Sequence, residues 1–245
     1  MAEEKKCKTL QKSSYTRLFD DGCNEDLAKE MGDFVKCFHS QTIVQGTSLE
    51  HFINSFIKNE TEFPFVFHKK AYYKELENLD NIFNNSDNMF ISKFFLPKKY
   101  FDNYDIHCGN KTGVEIDYIV KKNDEINIVE MKAGKDFDTK KSAGEIKSLL
   151  NVKLILTNMG YKVNNPVFVS YEAQNVGDII LKTDLKECQK MTMVEFLNIF
   201  LPEALVEKGK KYLEDEFQNL AKKNKLDFIV KMKSMLDKFE EIKIE

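Results

Sequence analysis

The chain contains almost no arginine: Arg17 is the only one among its 37 lysine and arginine residues. Arginine makes the commonest specific contact with a guanine base, through paired hydrogen bonds. Any reading of base sequence by this chain would therefore rely on lysine, asparagine, glutamine and backbone groups. The formal net charge of −3 at pH 7 also lacks the basic excess typical of nucleic-acid binding. Lysines are nevertheless concentrated in short segments, so a local basic surface is not excluded.

The cysteines form no C-x-x-C pair, and their number, five, is odd. This pattern argues against a disulfide scaffold and against a zinc ribbon. His107 adjoins Cys108 and His39 lies near Cys37, but four clustered ligands are missing. A structural zinc site is therefore not expected.

Long apolar runs are also absent, since no stretch approaches the ~18 residues that a membrane helix needs. The N-terminal segment is charged, unlike a signal peptide. We therefore expect a cytoplasmic protein with no membrane partner. Its 245 residues are 42% hydrophobic and include 20 phenylalanines, which is enough for one folded domain with a sizeable core.

Two strand-like runs, residues 114–120 and 126–132, stand close together in the sequence. Both are rich in β-branched and aromatic residues, and the polar residues 121–125 between them are typical of a turn. The pattern therefore predicts a β-hairpin.

The predicted hairpin carries two carboxylates and a lysine, namely Asp117, Glu130 and Lys132. Because side chains alternate between the faces of a strand, two groups are expected to share a face. On the first strand Asp117 is expected to share a face with Glu115 and Ile119. On the second strand Glu130 is expected to share a face with Lys132 and Ile128. Pairing in the simple register would bring Asp117 and Glu130 to one point, with Lys132 beside them.

This set of side chains suits a hard divalent ion such as Mg²⁺, which binds one or two carboxylates together with substrate phosphate and water. The backbone carbonyl of Met131 is a further candidate oxygen ligand. Such an ion can activate an attacking water and neutralise charge on a phosphate. The ammonium of Lys132 can orient that water or stabilise the transition state. The residue types therefore indicate a metal-dependent phosphodiesterase.

An ordinary explanation is that these charged side chains lie on the solvated face of a sheet, since charged residues are mostly exposed. However, apolar residues surround them on both strands, and the Glu130-Met131-Lys132 run ends at Ala133-Gly134, where the chain can turn. We therefore favour the functional interpretation.

Asp117 followed by Glu130-Met131-Lys132 resembles the core motif of the PD-(D/E)xK nuclease superfamily. Residues 133–145 are similar to the segment that follows this motif in several type II restriction endonucleases. Ile116 stands where the family often has proline, at a position that varies. The resemblance implies an α/β fold with a restriction-endonuclease-like core, in which helices flank a central mixed β-sheet, here with extra N- and C-terminal helices.

The resemblance also implies roles for the residues. Asp117 and Glu130 would hold Mg²⁺, for which Mn²⁺ could substitute, with the Met131 carbonyl as a further ligand and Lys132 assisting the water. Leu49, Phe52, Ile53 and Phe56 recur at helical spacing after a turn at Gln45–Thr47, and Glu50 lies in the first turn of this predicted helix, where it could be an ordinary acidic residue. In the resembled superfamily an early helix often carries an acid that reaches the metal, and Glu50 is the candidate.

Lysines after the motif are candidates for contact with DNA. Lys140 and Lys141 lie at the start of a helix predicted over residues 139–159, and Lys135 lies in the preceding turn. A solvated helix face explains the two helical lysines equally simply. Phosphate contact is the sharper hypothesis.

The rest of the chain gives a coarse map of one domain, with residues 1–24 loosely held, 25–200 as a nuclease core and 201–245 as a C-terminal helical appendage. Helices are expected at 25–39, 47–58, 193–200 and from 202 onward. Strands are expected at 64–68, 163–171 and 178–183. The apolar face of the last helices could serve dimerisation.

The sequence thus predicts a Mg²⁺-dependent, site-specific endonuclease of double-stranded DNA, most like a type II restriction enzyme. Cleavage of both strands at a palindrome requires two sites, so a homodimer is expected. Two alternatives remain open. One is a Holliday-junction resolvase or DNA repair nuclease that uses the same residues. The other is a catalytically inactive module that binds nucleic acid or a protein, although the intact Asp117, Glu130 and Lys132 set argues against it.

Overall fold

The computed structural model describes residues 25–68, 83–84, 86–106, 112–137, 139–181 and 188–241. The helices in these ranges are α1 Glu25–Glu60, α2 Lys98–Asn103, α3 Thr139–Asn158, α4 Met193–Phe200 and α5 Glu203–Glu241. The strands are β1 Phe65–Phe67, β2 Met89–Pro97, β3 Gly113–Lys122, β4 Glu125–Lys132, β5 Asp136–Phe137, β6 Lys162–Val163, β7 Val167–Ser170, β8 Ile180–Leu181 and β9 Gln189–Thr192. The expectation for residues 1–24 lies outside the described residues.

The chain divides into two compact units. One consists of Met1–Thr47 and Glu216–Glu245, and its described part comprises the start of α1 and the end of α5. The other, Ser48–Asp215, contains the sheet and every candidate site residue. The expected division into a core at 25–200 and an appendage at 201–245 stays a prediction.

The central sheet of the larger unit is mixed. Its strand order is β1-β2-β3-β4-β7-β9, with β6 also paired to β4. β2, β3 and β4 form an antiparallel meander, whereas β1 runs parallel to β2, and β7 and β9 continue the sheet in parallel beyond β4. β5 and β8 form a separate parallel pair. The predicted α/β class with a mixed central sheet is confirmed.

The β3–β4 connection is a tight hairpin. Lys122 pairs with Glu125, and the two residues between them, Asn123 and Asp124, both have positive φ, 49° and 65°. Two such residues form the type I′ turn, whose twist matches that of paired strands. Asparagine and aspartate tolerate this conformation better than most residues do. The predicted hairpin is therefore confirmed, with a turn shorter than the polar segment suggested.

The two faces of the sheet carry separate apolar layers. On one face, strand residues pack with α3 in a core that includes Ile91, Ile119, Ile128, Leu149 and Val152. On the other face, Phe90 contacts Tyr118 and the α4 rings Phe196 and Phe200. Phe56 of α1 contacts Tyr212 of α5, and both residues lie in the larger unit. Helices therefore cover both faces of the sheet.

The alternation of faces slips by one residue in the middle of β2. Ile91 and Phe94 both belong to the core next to α3, although they are three positions apart. Between them, Lys93 has a φ of 55°, which is uncommon for a residue with a side chain. Because of this local conformation, the residues after Lys93 alternate between the two faces of the sheet in the opposite order from the residues before it.

The same slip occurs on β3. Ile116 and Ile119 both lie in that core, with Asp117 between them. The register runs from Ser92↔Tyr118 to Phe94↔Ile116, and Lys93 and Asp117 stand opposite each other at the interrupted position. The expectation that Glu115 shares a face with Ile119 is therefore wrong, because strict alternation fails at Asp117.

Several predicted boundaries need correction. The two helices expected at 25–39 and 47–58 are one continuous helix, α1, because Gly46 lies inside it and does not terminate it. The strand expected at 163–171 is split into β6 and β7 around Pro166, which cannot donate to a strand pair. The strand expected at 178–183 is described only as β8.

Other boundaries agree closely. The helix expected at 139–159 is α3, the one expected at 193–200 is α4, and the one expected from 202 onward is the single helix α5. α4 begins at a capping box, in which Thr192 and Glu195 satisfy each other's backbone N–H groups. No helix within the described ranges is both long enough and apolar enough to cross a bilayer.

Candidate functional site

Asp117 stands opposite Glu130 on neighbouring strands. The β3–β4 register ends at Tyr118↔Val129, and its continuation by one residue places the two carboxylates across from each other. The backbone N–H of Met131 donates a hydrogen bond to Asp117 Oδ2 at 3.0 Å. The side chain of Asp117 is therefore held toward β4, and its other oxygen, Oδ1, is left for a different partner.

Glu130 is partly buried among charges of its own sign. Burial raises the pKa of its carboxyl well above the ordinary value, and the nearby carboxylates Asp117 and Glu145 raise it further. The charges of Lys132 and Lys93 oppose this effect without cancelling it. The ionised form of Glu130 is therefore disfavoured, and a cation bound beside it would favour that form.

Lys132 lies two residues beyond Glu130 on the same strand. Its Nζ donates to Glu145 Oε2 of α3 at 3.2 Å and lies 5.1 Å from the centre of the Phe137 ring. Three-quarters of the Lys132 side chain is shielded from solvent, with 26% exposed. Glu145 and Phe137 therefore hold an ammonium group next to the Asp117–Glu130 pair.

Glu50 lies in the interior of α1, not in the first turn of a helix as expected. Its Oε1 is 2.7 Å from Lys93 Nζ. Burial raises the pKa of Glu50, as do the charges of Asp117 and Glu115, whereas Lys93 lowers it. The helix therefore brings Glu50 to the edge of the same cluster, through Lys93.

Lys93 is the site residue that the sequence reasoning missed. Its Nζ is 2.7 Å from Glu50 Oε1 and 3.1 Å from Asp117 Oδ1. Burial alone would lower the pKa of Lys93, but Asp117 and Glu50 raise it above the ordinary value, so the side chain stays charged. The available signal was a single lysine inside the apolar run of β2, where an unpaired charge is unfavourable.

The oxygen donors at this position fit Mg²⁺. Among the described residues, no three Asp, Glu, His or Cys side chains lie close enough together to hold a metal ion. Mg²⁺ does not need such a group, because it is commonly bound by one or two carboxylates with substrate phosphates and water. Asp117 of β3 and Glu130 of β4, on paired strands, supply two carboxylates. The Met131 carbonyl as a third ligand stays a prediction.

The candidate DNA-contacting lysines are placed unequally. Lys135 lies in the turn after β4, and its Nζ is 3.8 Å from Asp178 Oδ2. Lys140 and Lys141 are in the first turn of α3, while their side chains lie outside the described residues. Their contact with DNA stays a prediction.

Comparison with known proteins gives no further information about the function of this site. No protein-family model, no curated protein and no solved structure matches this chain. The functional argument therefore depends on the geometry of the clustered side chains.

Proposed function

We propose that this protein is a Mg²⁺-dependent endonuclease that hydrolyses phosphodiester bonds of double-stranded DNA, most like a type II restriction enzyme. One observation carries the proposal: Asp117 of β3 is hydrogen-bonded to the backbone of β4 at Met131, directly between Glu130 and Lys132 in the chain, and Glu145 holds the Lys132 ammonium. Charged groups packed within otherwise apolar strands are costly unless they serve a ligand or pair with one another.

The order of elements supports this proposal. The helix α1 precedes the antiparallel meander of β2, β3 and β4, and α3 then leads to β7, which runs parallel to the last strand of the meander. This arrangement is compatible with the helix-flanked mixed sheet of a restriction-endonuclease-like core. The motif lies on β3 and β4, at the centre of this unit.

Each residue of the cluster has a defined task in the proposed reaction. A bound Mg²⁺ would supply positive charge for the phosphate and lower the pKa of the attacking water. The Met131 N–H fixes the orientation of Asp117, and Glu130 stands across from it. Glu145 and Phe137 position Lys132, whose ammonium can donate to a phosphate oxygen or to the water.

Lys135, Lys140 and Lys141 would contact the DNA backbone, and the active form would be a homodimer. Phosphate contacts by lysine bind DNA without regard to sequence. Cleavage of a palindromic site in both strands needs two copies of the catalytic cluster, related by a two-fold axis.

A panel of substrates tests the proposed activity. Purified protein is incubated in Mg²⁺, and separately in Mn²⁺, with unmethylated phage DNA, supercoiled plasmid and a four-way DNA junction. Discrete fragments from linear phage DNA, absent with Asp117→Asn, are the expected result. Cleavage of the junction alone would contradict the restriction proposal and favour a resolvase, and a smear would favour a repair nuclease.

A second candidate, an inactive binding module, is favoured by one specific observation. The Lys93 ammonium lies against Asp117 and Glu50, where a catalytic cation would be expected. If none of the substrates is cleaved in either metal, while the protein still shifts duplex DNA in an electrophoretic assay, the binding module replaces the nuclease.

A further inference from the structure

We propose that Lys93 is a resident counter-cation of this site, which holds Asp117 and Glu50 in place of the divalent ion and must leave Asp117 before that ion binds. The inference rests on the proposed metal-dependent function and deepens it. It assigns Lys93 as a positioning residue that sets the affinity of the site for metal.

The hydrogen bonds of Asp117 leave one oxygen for which Lys93 and a metal compete. Asp117 Oδ2 accepts from the Met131 N–H, and Oδ1 accepts from Lys93 Nζ at 3.1 Å. A divalent ion on Oδ1 would stand within a few ångströms of the ammonium. Two positive charges at that distance repel each other strongly in a partly buried site. The two cations therefore exclude each other at Asp117.

The backbone of β2 is distorted to place this ammonium. Lys93 has a φ of 55°, inside a strand whose neighbouring residues pair regularly with β3. Residues with side chains are strained in this region of backbone conformation and persist there when the surroundings enforce it. The contacts of Nζ with Asp117 and Glu50 are interactions that can offset this strain.

The side chain of Lys93 is able to leave. It is 20% exposed, and its two carboxylate partners are 15% and 26% exposed. The Lys93 side chain and both carboxylates thus each have some access to solvent. A DNA phosphate entering the site would attract the released ammonium, so metal and DNA would each increase affinity for the other.

Calorimetric titration with Mn²⁺ and with Mg²⁺, without DNA, directly tests whether a metal ion competes with Lys93 for Asp117. Lys93→Met removes the charge and keeps the length of the side chain. Lys93→Gly removes the charge and also relieves the positive φ, so it serves if the methionine variant folds poorly. Lys162→Met is the matched control, because Lys162 pairs with Glu125 at the far end of the hairpin and its loss changes the net charge equally.

Both Lys93 variants are expected to bind metal at least tenfold more tightly than the wild type, and Lys162→Met within twofold of it. The double variant Asp117→Asn, Lys93→Met should lose the tighter metal binding expected of Lys93→Met. Unchanged or weaker metal binding in the Lys93 variants, with measurable binding by the wild type, would overturn this inference and leave the proposed function intact. Absence of metal binding in every variant would overturn both.

Discussion

Glu130 carries the strongest electrostatic penalty in the candidate site. Its pKa is raised well above the ordinary value by burial first and then by Asp117 and Glu145. A carboxyl with a raised pKa binds more protons in the folded state than in the unfolded state. Stability is therefore lost as pH rises from about 4.5, the ordinary value, through the raised value.

We predict that Glu130→Gln makes the metal-free protein more stable at neutral pH and removes this loss. Denaturant unfolding between pH 5 and 8 measures it. Glu125→Gln is the control on the same strand, since Lys162 and Asn164 lower the pKa of exposed Glu125. The contribution of Glu125 is lost only as pH falls below about 4.5, so Glu125→Gln should keep the wild-type slope between pH 5 and 8. A Glu130→Gln variant that is less stable at pH 8 and keeps the wild-type slope would contradict the account.

His68 gives a second pH dependence, of opposite direction. It is fully buried, and burial lowers its pKa from 6.5 to about 4. Because His68 takes up a proton less readily in the folded state than in the unfolded state, the free energy of unfolding falls as pH falls from 6.5 toward 4. The loss is about 3 kcal/mol for a pKa shift of this size.

We predict that His68→Gln flattens the decline of unfolding free energy between pH 6.5 and 4. Exposed His51→Gln is the matched control and should leave the decline in place. The slope with pH, and not the absolute stability, is the quantity to compare. Equal slopes in both variants would refute the assignment.

At the scale of elements, local chemistry predicts some parts of this fold well and others poorly. The β3–β4 hairpin and α4 were predictable because turn residues and a capping box act over a few neighbouring residues. The continuity of α1 through Gly46 was not, since the low helix propensity of one glycine is only a weak signal of a helix end.

The interrupted alternation of β2 and β3 at the site could not be predicted from the sequence either. Strict alternation placed the carboxylates approximately, yet it missed the slip at Lys93 and Asp117. At that position Lys93 bonds to Glu50, which is 43 residues away along the chain. Such a tertiary contact leaves no periodic signal in either strand, and only the lone charge in β2 hinted at it.

Two helical glycines provide a test of packing at this scale. A Cβ at buried Gly209 of α5 would stand 2.7 Å from Phe56 Cε1 and 3.3 Å from Leu197 Cδ1. A Cβ at exposed Gly144 of α3 would meet nothing within 4 Å. We predict that Gly144→Ala stabilises the protein by about 0.5–1 kcal/mol through helix propensity.

Gly209→Ala should instead destabilise by about 1 kcal/mol, because the strain of overpacking, about 1–3 kcal/mol, exceeds the same propensity gain. Chemical unfolding of the two variants side by side measures both values. If Gly209→Ala stabilised the protein as much as Gly144→Ala does, the close approach of α5 to Phe56 would be disproved.

At the scale of the whole molecule, the net charge of −3 conflicts with DNA binding unless lysines act locally. We predict that duplex binding by the Asp117→Asn variant weakens steeply with salt. For 6–10 phosphate contacts, the loss is about 10³–10⁵ in affinity between 50 and 200 mM salt. Fluorescence anisotropy measures it. Affinity that is insensitive to salt would contradict backbone binding by lysine.

The most direct test of the central claim is the rate of DNA cleavage as a function of Mg²⁺ concentration. It compares the wild type, Asp117→Asn and Lys132→Met, with Lys162→Met as the control of equal charge change. We predict saturable Mg²⁺ dependence in the wild type and in the control, and rates about 10²–10⁴ lower in the two site variants, which should remain folded. Wild-type rates in folded Asp117→Asn or Lys132→Met would contradict the assignment of this cluster as the catalytic site.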